Sequence, residues 1–167
     1  MKDPRELDLA EYVPYLVNRV GAIIAEQFGE EALKPHRLSI AMWRVIAVLA
    51  SGGSRRQIDL AVLTSIDAST LSRLITRLVR MGLVTRARST SSNREVAVKL
   101  SGKGRALVDR LIPVARDYER TAIAGLTAAE LALVKRCLRR IYANMKNQPE
   151  AKKDSPHVLA PSAGLLA

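Results

Sequence analysis

The sequence predicts a mainly α-helical fold with a small β wing, and three observations support this prediction. Two short helical segments separated by a tight turn occupy residues 54–81. A strand with two arginines, a polar loop and a strictly alternating strand follow over residues 84–100. Apolar patterns of helical spacing lie on both sides of this region. That order of elements is typical of a winged helix-turn-helix with flanking dimerisation helices.

Two helices are predicted before this unit. Apolar residues recur at steps of three and four over Val13–Phe28, and Pro14 falls in the first turn, where a helix tolerates it. A loop containing Gly29 and Pro35 is expected next. Ser39 can then cap a second apolar helix over residues 40–49. Residues 1–38 are therefore assigned to an N-terminal dimerisation helix and loop, and residues 39–104 to a DNA-binding domain.

Local cues mark the joints of the central unit. Ser54 and Gln57 have the spacing of a capping box, which predicts a helix over residues 54–63. Residues 64–67 form the turn, and Asp67 can cap a second helix over residues 68–81. Gly82 suits the left-handed position just past a helix end. Strands are predicted over residues 84–88 and 95–100, joined by a loop over residues 89–94.

The second helix of this unit has two distinct faces. Leucine and isoleucine recur on one face at helical spacing and predict a buried stripe. The opposite face carries short hydroxyl side chains near its start, followed by arginines. Short polar residues allow a close approach to base edges, and arginine can bind guanine through two hydrogen bonds. The predicted DNA-binding residues are Ser69, Thr70, Ser72, Arg73, Thr76 and Arg77 of the helix, with Arg88 and Arg94 of the wing.

Positive charge is concentrated on the same unit. The chain has 27 Lys and Arg against 16 Asp and Glu, a net charge of +11. Residues 52–105 contain 11 basic and 3 acidic residues, so +8 of the net charge lies there. A solvated basic face is the alternative interpretation, but its coincidence with a helix-turn-helix favours contact with the phosphates of double-stranded DNA.

Two helices are predicted after the wing, and residues 105–147 are assigned to C-terminal dimerisation helices. Ser101 can cap a long helix over residues 102–124, in which Pro113 should bend or break the rod. Thr127 and Glu130 form a second capping box. The helix that it opens carries an apolar seam which needs a partner surface, at positions Leu131, Val134, Leu138, Ile141 and Met145. We therefore expect a homodimer, as is usual for proteins that bind DNA with two-fold symmetry. Residues 148–167 are expected to form a poorly ordered tail.

Other functional classes find little support in the sequence. No nucleotide-binding or nucleophile motif is present, and two histidines with one cysteine cannot form a usual zinc site, so no enzyme activity, cofactor or metal is predicted. Cys137 lies among apolar residues and is expected to be buried and inert. No segment reaches the roughly 20 apolar residues that span a bilayer, and no signal peptide is recognisable. We expect a cytoplasmic protein without membrane contact.

Taken in order, these segments resemble the MarR family of bacterial and archaeal transcription regulators over about residues 12–146. The similarity rests on Trp43-Arg44-Val45, on the run from Gln57 to Ala61, on the run from Ile66 to Leu74, and on Gly82-Leu83-Val84 with the wing and its exit at residues 93–104. The family wing usually carries Asp-x-Arg, whereas this chain has Ser92 and Arg94. Ser92 brings no charge to hold that arginine.

The resemblance implies a triangular homodimer whose terminal helices dimerise, and regulation, most often repression, relieved by a small molecule. It also implies an effector cleft beside Tyr15, Arg19, Trp43 and Arg44. Aromatic rings near guanidinium groups would suit an aromatic carboxylate or its coenzyme A thioester. The alternative is that Trp43 packs in the core and the arginines are solvated.

Two other functions remain open on the residues alone. A non-specific architectural DNA-binding protein would use only charge and would show a steep salt dependence on every sequence. A protein-interaction module could present the basic face to an acidic partner, although it would have no use for a wing. The combined hydroxyl and arginine face favours sequence-specific binding.

Overall fold

The computed structural model describes residues 7–89 and 92–147, with the backbone alone for 87–89 and 92–96. The predicted tail, residues 148–167, lies outside the described residues. The elements in chain order are α1 (Val13–Phe28), α2 (Ile40–Gly52), β1 (Arg55–Arg56), α3 (Gln57–Thr64), α4 (Ala68–Arg80), β2 (Val84–Ser89), β3 (Ser92–Leu100), α5 (Gly102–Ala122) and α6 (Ala128–Lys146). Contacts divide the chain into two compact units, Met1–Ala122 and Ile123–Ala167.

The segment after α1 is helical rather than the predicted loop. A π-helical turn, Gly29–Leu33, and a 3-10 turn, Lys34–His36, carry the chain onward. Leu33 is fully buried in this segment, which explains why the chain stays coiled against the core. Pro35 lies in the first turn of the 3-10 segment, where its missing N–H is not needed. Arg37 then ends the segment in the left-handed conformation, with φ of 56°.

Helix α2 passes through the centre of the first unit. Ser39 Oγ accepts a hydrogen bond from Met42 N at 3.3 Å, which confirms the predicted cap. The helix continues three residues past the predicted end at residue 49. Its fully buried side chains pack with those of α4 and α5 in one core, and they are Met42, Val45, Ile46 and Leu49.

The capping box predicted at Ser54 and Gln57 is wrong. Arg55 and Arg56 are extended and pair with Val98 and Ala97 of β3, so they form a short strand. A helix cannot begin while the backbone at Arg56 is extended, with ψ of 149°. Helix α3 therefore starts at residue 57, three residues later than predicted.

The wing is an antiparallel sheet in the order β1-β3-β2. Strands β2 and β3 pair from Val84 with Leu100 to Ser89 with Ser92. The predicted loop over residues 89–94 is thus too long, because strand pairing extends to both of its ends. The register shifts between Arg88 and Ser89, beside the hairpin tip.

A backbone junction joins the end of α4, both wing strands and the start of α5. Ser101 N donates to Leu83 O at 3.0 Å, and Ser101 Oγ donates to Gly82 O at 2.6 Å. The same Oγ accepts from Gly104 N at 2.9 Å, which confirms Ser101 as the cap of α5. Gly82 has φ of 70°, the left-handed conformation predicted for it. One serine therefore closes the wing and starts the next helix.

Pro113 was expected to bend or break helix α5, and the helix is continuous through it, so a break does not occur. It ends at residue 122, two residues before the predicted end. Leu107, Val108 and Leu111 enter the core, and the Tyr118 ring lies 5.4 Å from the Phe28 ring in an edge arrangement. The apolar contacts on both sides of Pro113 hold the helix together despite its missing hydrogen bond.

The second unit is described through α6. Thr127 Oγ1 accepts from Glu130 N at 3.3 Å and Glu130 Oε2 accepts from Thr127 N at 2.8 Å, so the predicted capping box is confirmed. The apolar seam of α6 is exposed in the single chain, with Leu138 at 45%. Cys137 is exposed too, so the expected burial of its thiol is wrong for the single chain. No helix within residues 7–147 is long and apolar enough to cross a membrane.

Replacing Gly104 with alanine should destabilise the fold, because the added Cβ would lie 2.0 Å from Leu83 O at the junction. The expected loss is about 1–3 kcal/mol in the free energy of unfolding, measured by urea denaturation. Gly102→Ala is the matched control, since no atom lies within 4 Å of a Cβ at that position. Equal stability of the two variants would contradict the close approach at Gly104.

Candidate nucleic-acid interface

The candidate interface is the exposed polar face of α4. Asp67 begins this helix by accepting a hydrogen bond from Thr70 N at 2.8 Å and another from Ser69 Oγ at 2.7 Å. The amide of Thr70 and then the hydroxyl of Ser69 hold the pKa of the Asp67 carboxyl well below its usual range. The carboxylate therefore stays charged at neutral pH, next to the positive end of the helix dipole.

The buried stripe of α4 fixes which face points to solvent. Leu71, Ile75 and Leu78 are fully buried, as predicted, and Leu74 is half-buried against the same core. The opposite face is left open by this packing. On it Ser69, Arg73 and Arg77 are exposed, whereas Thr70, Ser72 and Thr76 are half-buried.

Two side chains of this face are already paired within the helix. Arg73 Nη2 donates to Thr70 Oγ1 at 3.2 Å, which lays the guanidinium along the helix towards its N-terminus. Arg73 keeps its other donors, because a guanidinium has five N–H groups. Such donors match the oxygen and nitrogen acceptors of base edges as well as phosphate oxygens.

Arg86 of strand β2 links the wing to α4, and the sequence analysis missed it as a site residue. Its Nη2 donates to Thr76 Oγ1 at 2.9 Å and lies 3.4 Å from Ser72 O. Thr76 Oγ1 in turn donates to Ser72 O at 2.9 Å. Thr76 was predicted to face DNA, but its only hydroxyl proton is used inside the helix. Thr76 and Arg86 thus hold α4 against the wing, while Arg73 and Arg77 remain exposed on its polar face.

Arg86 could not be placed by sequence spacing alone. Its charge was evident, but its position beside α4 depends on how β2 packs across the helix, which no local pattern encodes. The side chains of Arg88 and Arg94, the two predicted wing contacts, lie outside the described residues, as does that of Ser92.

The four predicted effector residues are only partly brought together. The Arg19 guanidinium lies 5.7 Å from the centre of the Tyr15 ring, within cation–π range. Trp43 is half-buried and its ring centre lies 5.4 Å from that of Phe28. This packing is the alternative that the sequence left open for Trp43. Arg44 is exposed on α2.

Three grooves in the first unit could admit small molecules. The largest of the three, about 560 Å³, lies between α1 and α5, with Ile23, Ile24 and Tyr118 in its wall. The others measure about 440 Å³ and 350 Å³. None of the three is lined by Tyr15, Arg19, Trp43 or Arg44. Across the residues that the structure describes, no group of three His, Cys, Asp or Glu side chains could hold a metal ion.

Comparison with known proteins places this geometry in a family. The model of the MarR family matches residues 38–96, which cover α2, the helix-turn-helix and most of the wing. The HTH-type transcriptional repressor NicR of Pseudomonas putida is 27% identical over 145 residues, which cover 87% of this chain and 91% of that protein.

Solved structures agree with the sequence match. A MarR-family transcriptional regulator from Silicibacter pomeroyi is 31% identical, with a TM-score of 0.77 over 86% of this chain and 99% of that one. BpsR of Bordetella bronchiseptica, whose DNA binding is regulated by 6-hydroxynicotinic acid, is 27% identical. Its TM-score is 0.70 over 78% of this chain and 98% of that one.

Proposed function

This chain belongs to the MarR family of transcriptional regulators, and we propose that it is a sequence-specific repressor which a small molecule releases from its operator. The observation that carries the proposal is the exposed face of α4, where Ser69, Arg73 and Arg77 face solvent above a fully buried stripe. DNA binding of this kind needs no catalytic group, so we propose no enzyme activity. A regulator of chromosomal operators shares their compartment, which we take to be the cytoplasm.

The polar face of α4 is suited to a major groove. An α-helix fits that groove, and side chains near its start reach the base edges. Asp67 and the Thr70 amide fix the start of α4, and Arg86 ties its middle to the wing. A helix held at both places keeps its orientation while the wing lies beside it. We propose that Arg88 and Arg94 bind the adjacent backbone or minor groove from the wing.

We propose that the protein acts as a homodimer built from its terminal helices. Apolar side chains of α1 lie outside the core of the single chain, and Val20 is 57% and Ile23 49% exposed. On α6, Val134, Leu138 and Ile141 are each more than 40% exposed. Apolar stripes of this length are normally covered in a folded protein. Two-fold pairing would also present two recognition helices to a pseudo-palindromic operator.

The proposed effector is an aromatic carboxylate or its coenzyme A thioester. One relative guides this choice, since the DNA binding of BpsR is regulated by 6-hydroxynicotinic acid, an aromatic acid. In this chain Arg19 and Tyr15 offer a cation beside a ring, and Arg44 offers a second exposed guanidinium. The partner subunit would complete the cleft, because these residues lie on the two N-terminal helices.

Arg73→Ala should weaken operator binding by about 1–3 kcal/mol, because it removes a guanidinium from the exposed face of α4. The measurement is fluorescence anisotropy on the operator and on random duplex DNA, at two salt concentrations. Arg136→Ala, an exposed arginine of α6, is the control for loss of one charge. Equal losses on both DNAs would support the alternative of a non-specific architectural protein.

Leu138→Glu should dissociate or destabilise the dimer by several kcal/mol, since a carboxylate would be buried without a partner in the proposed interface. Sedimentation equilibrium and thermal unfolding measure both effects. Ala143→Glu places the same charge on the opposite side of α6 and should leave the dimer intact. A Leu138→Glu protein that remains a stable dimer would move the interface elsewhere.

Binding of 6-hydroxynicotinic acid or an aromatic acyl thioester should shift the fluorescence of Trp43, the only tryptophan, and lower operator affinity. By linkage, operator DNA must weaken effector binding by the same factor. Trp43→Ala should blunt the release from DNA more than it weakens DNA binding, as measured by gel shift with and without effector. Full release from the Trp43→Ala protein would place the effector site away from α2.

A further inference from the structure

A basic groove of about 440 Å³ lies beside the C-terminal end of α4, within the first unit. It is bounded by the 3-10 turn after α1, by the end of α4 and by the first turns of α5. Five of its lining residues carry basic side chains, and they are His36, Arg37, Arg80, Lys103 and Arg110. Leu83 and Leu107 line its wall and are almost fully buried.

The basic side chains of this groove have no acidic partner in its lining. Within the described part of the chain, Arg37, Arg80 and Arg110 make no salt bridge, and Lys103 Nζ donates to the backbone oxygen of Met81 at 3.0 Å. Like charges gathered at a concave surface repel one another and focus a positive potential into it. A bound anion would relieve that repulsion.

The backbone at Arg37 fixes where this side chain enters the groove. Its φ of 56° and ψ of 29° lie in the left-handed region, which favours glycine and disfavours a long side chain. The conformation is fixed from both sides, because Arg37 N donates to Lys34 O at 2.9 Å and Leu38 N donates to Leu33 O at 3.1 Å. Arg37 thus ends the 3-10 turn as a left-handed cap, as Ser65 does after α3. The cap holds Arg37 in the lining of the groove.

The size of the groove narrows the class of anion. Small-molecule sites have volumes of about 300–1,000 Å³, whereas one water molecule occupies about 30 Å³ in the liquid. The groove is therefore much larger than one monatomic ion needs. Arginine presents a planar fork of donors that matches carboxylate and phosphate oxygens. The three guanidinium groups of this groove and the ammonium group of Lys103 therefore suit a ligand with several negatively charged oxygens close together.

We propose that this groove is a binding site for a small polyanion, a molecule with two or more phosphate or carboxylate groups. Three arginines would bind it: Arg37 at the end of the 3-10 turn, Arg80 at the end of α4 and Arg110 of α5. The anion would thus join the end of the recognition helix to the two segments behind it. None of the predicted DNA-binding residues lines the groove, and binding of the anion can be measured without DNA.

Isothermal titration calorimetry of the full chain with pyrophosphate and with citrate, at constant ionic strength, tests the site. At least one of the two should bind, with acetate as the singly charged comparison, and the preferred one identifies phosphate or carboxylate as the ligand chemistry. Arg37→Gln and Arg110→Gln should each weaken binding at least tenfold. Arg116→Gln, an exposed arginine of α5 outside the groove, should leave it unchanged. Equal weakening in all three variants would reveal general counter-ion attraction and overturn the proposal.

Two substitutions at residue 37 separate the strain from the charge. Arg37→Gly relieves the left-handed backbone and should raise the melting temperature while abolishing the heat of anion binding. Arg37→Lys keeps the charge and should retain anion binding above that of Arg37→Gln. Anion binding by Arg37→Gly at the affinity of the unaltered chain would overturn the proposal. Failure of both anions to bind the unaltered chain would also overturn it. If the Arg37→Gln and Arg110→Gln proteins then lose affinity for every duplex, the groove contacts the DNA backbone instead.

Discussion

The wing and the recognition helix both depend on the junction that Ser101 makes with Gly82 and Leu83. Ser101 uses its amide to bind Leu83 O, its hydroxyl proton to bind Gly82 O and its hydroxyl oxygen to accept from Gly104 N. Helix α4, strands β2 and β3 and helix α5 therefore meet within a few residues, and no side chain larger than hydrogen fits at position 104. The angle at which β2 leaves α4 is fixed here, and so is the direction in which α5 departs.

Burial is distributed very unevenly along the chain. Among the residues that the structure describes, every buried core side chain lies between Phe28 and Leu111, so the winged helix-turn-helix and the segments that support it have a core of their own. The apolar faces of α1 and α6 are largely outside that core. The winged helix-turn-helix can thus be rigid in a single chain. Helices α1 and α6, in contrast, need a second chain to cover their apolar faces. This division would allow a change at the dimer interface to alter the separation of two rigid readers without unfolding them.

Features encoded locally were predicted well from the sequence. The bounds of α1, the caps at Ser39, Asp67, Ser101 and Thr127, and the buried stripe of α4 all follow from spacing within one or two turns. Features that depend on distant partners were missed. The strand at Arg55 exists because β3 lies beside it, and Arg86 reaches Thr76 only through the packing of the sheet against α4. Local residue types also gave no sign of the π-helical turn before Arg37.

The hydrogen bonds from Arg86 to Thr76 and from Thr76 to Ser72 also bear on how such a protein could be re-engineered. A recognition helix transplanted from a family member without a hydroxyl at the position of Thr76 would leave the arginine on β2 without that partner. The Arg86 guanidinium would then keep only the backbone oxygen of Ser72, at 3.4 Å, and the grafted helix would lose part of its lateral support. Operator preference in this scaffold is therefore not a property of one interchangeable segment, and a swap of specificity must carry residues 76 and 86 together.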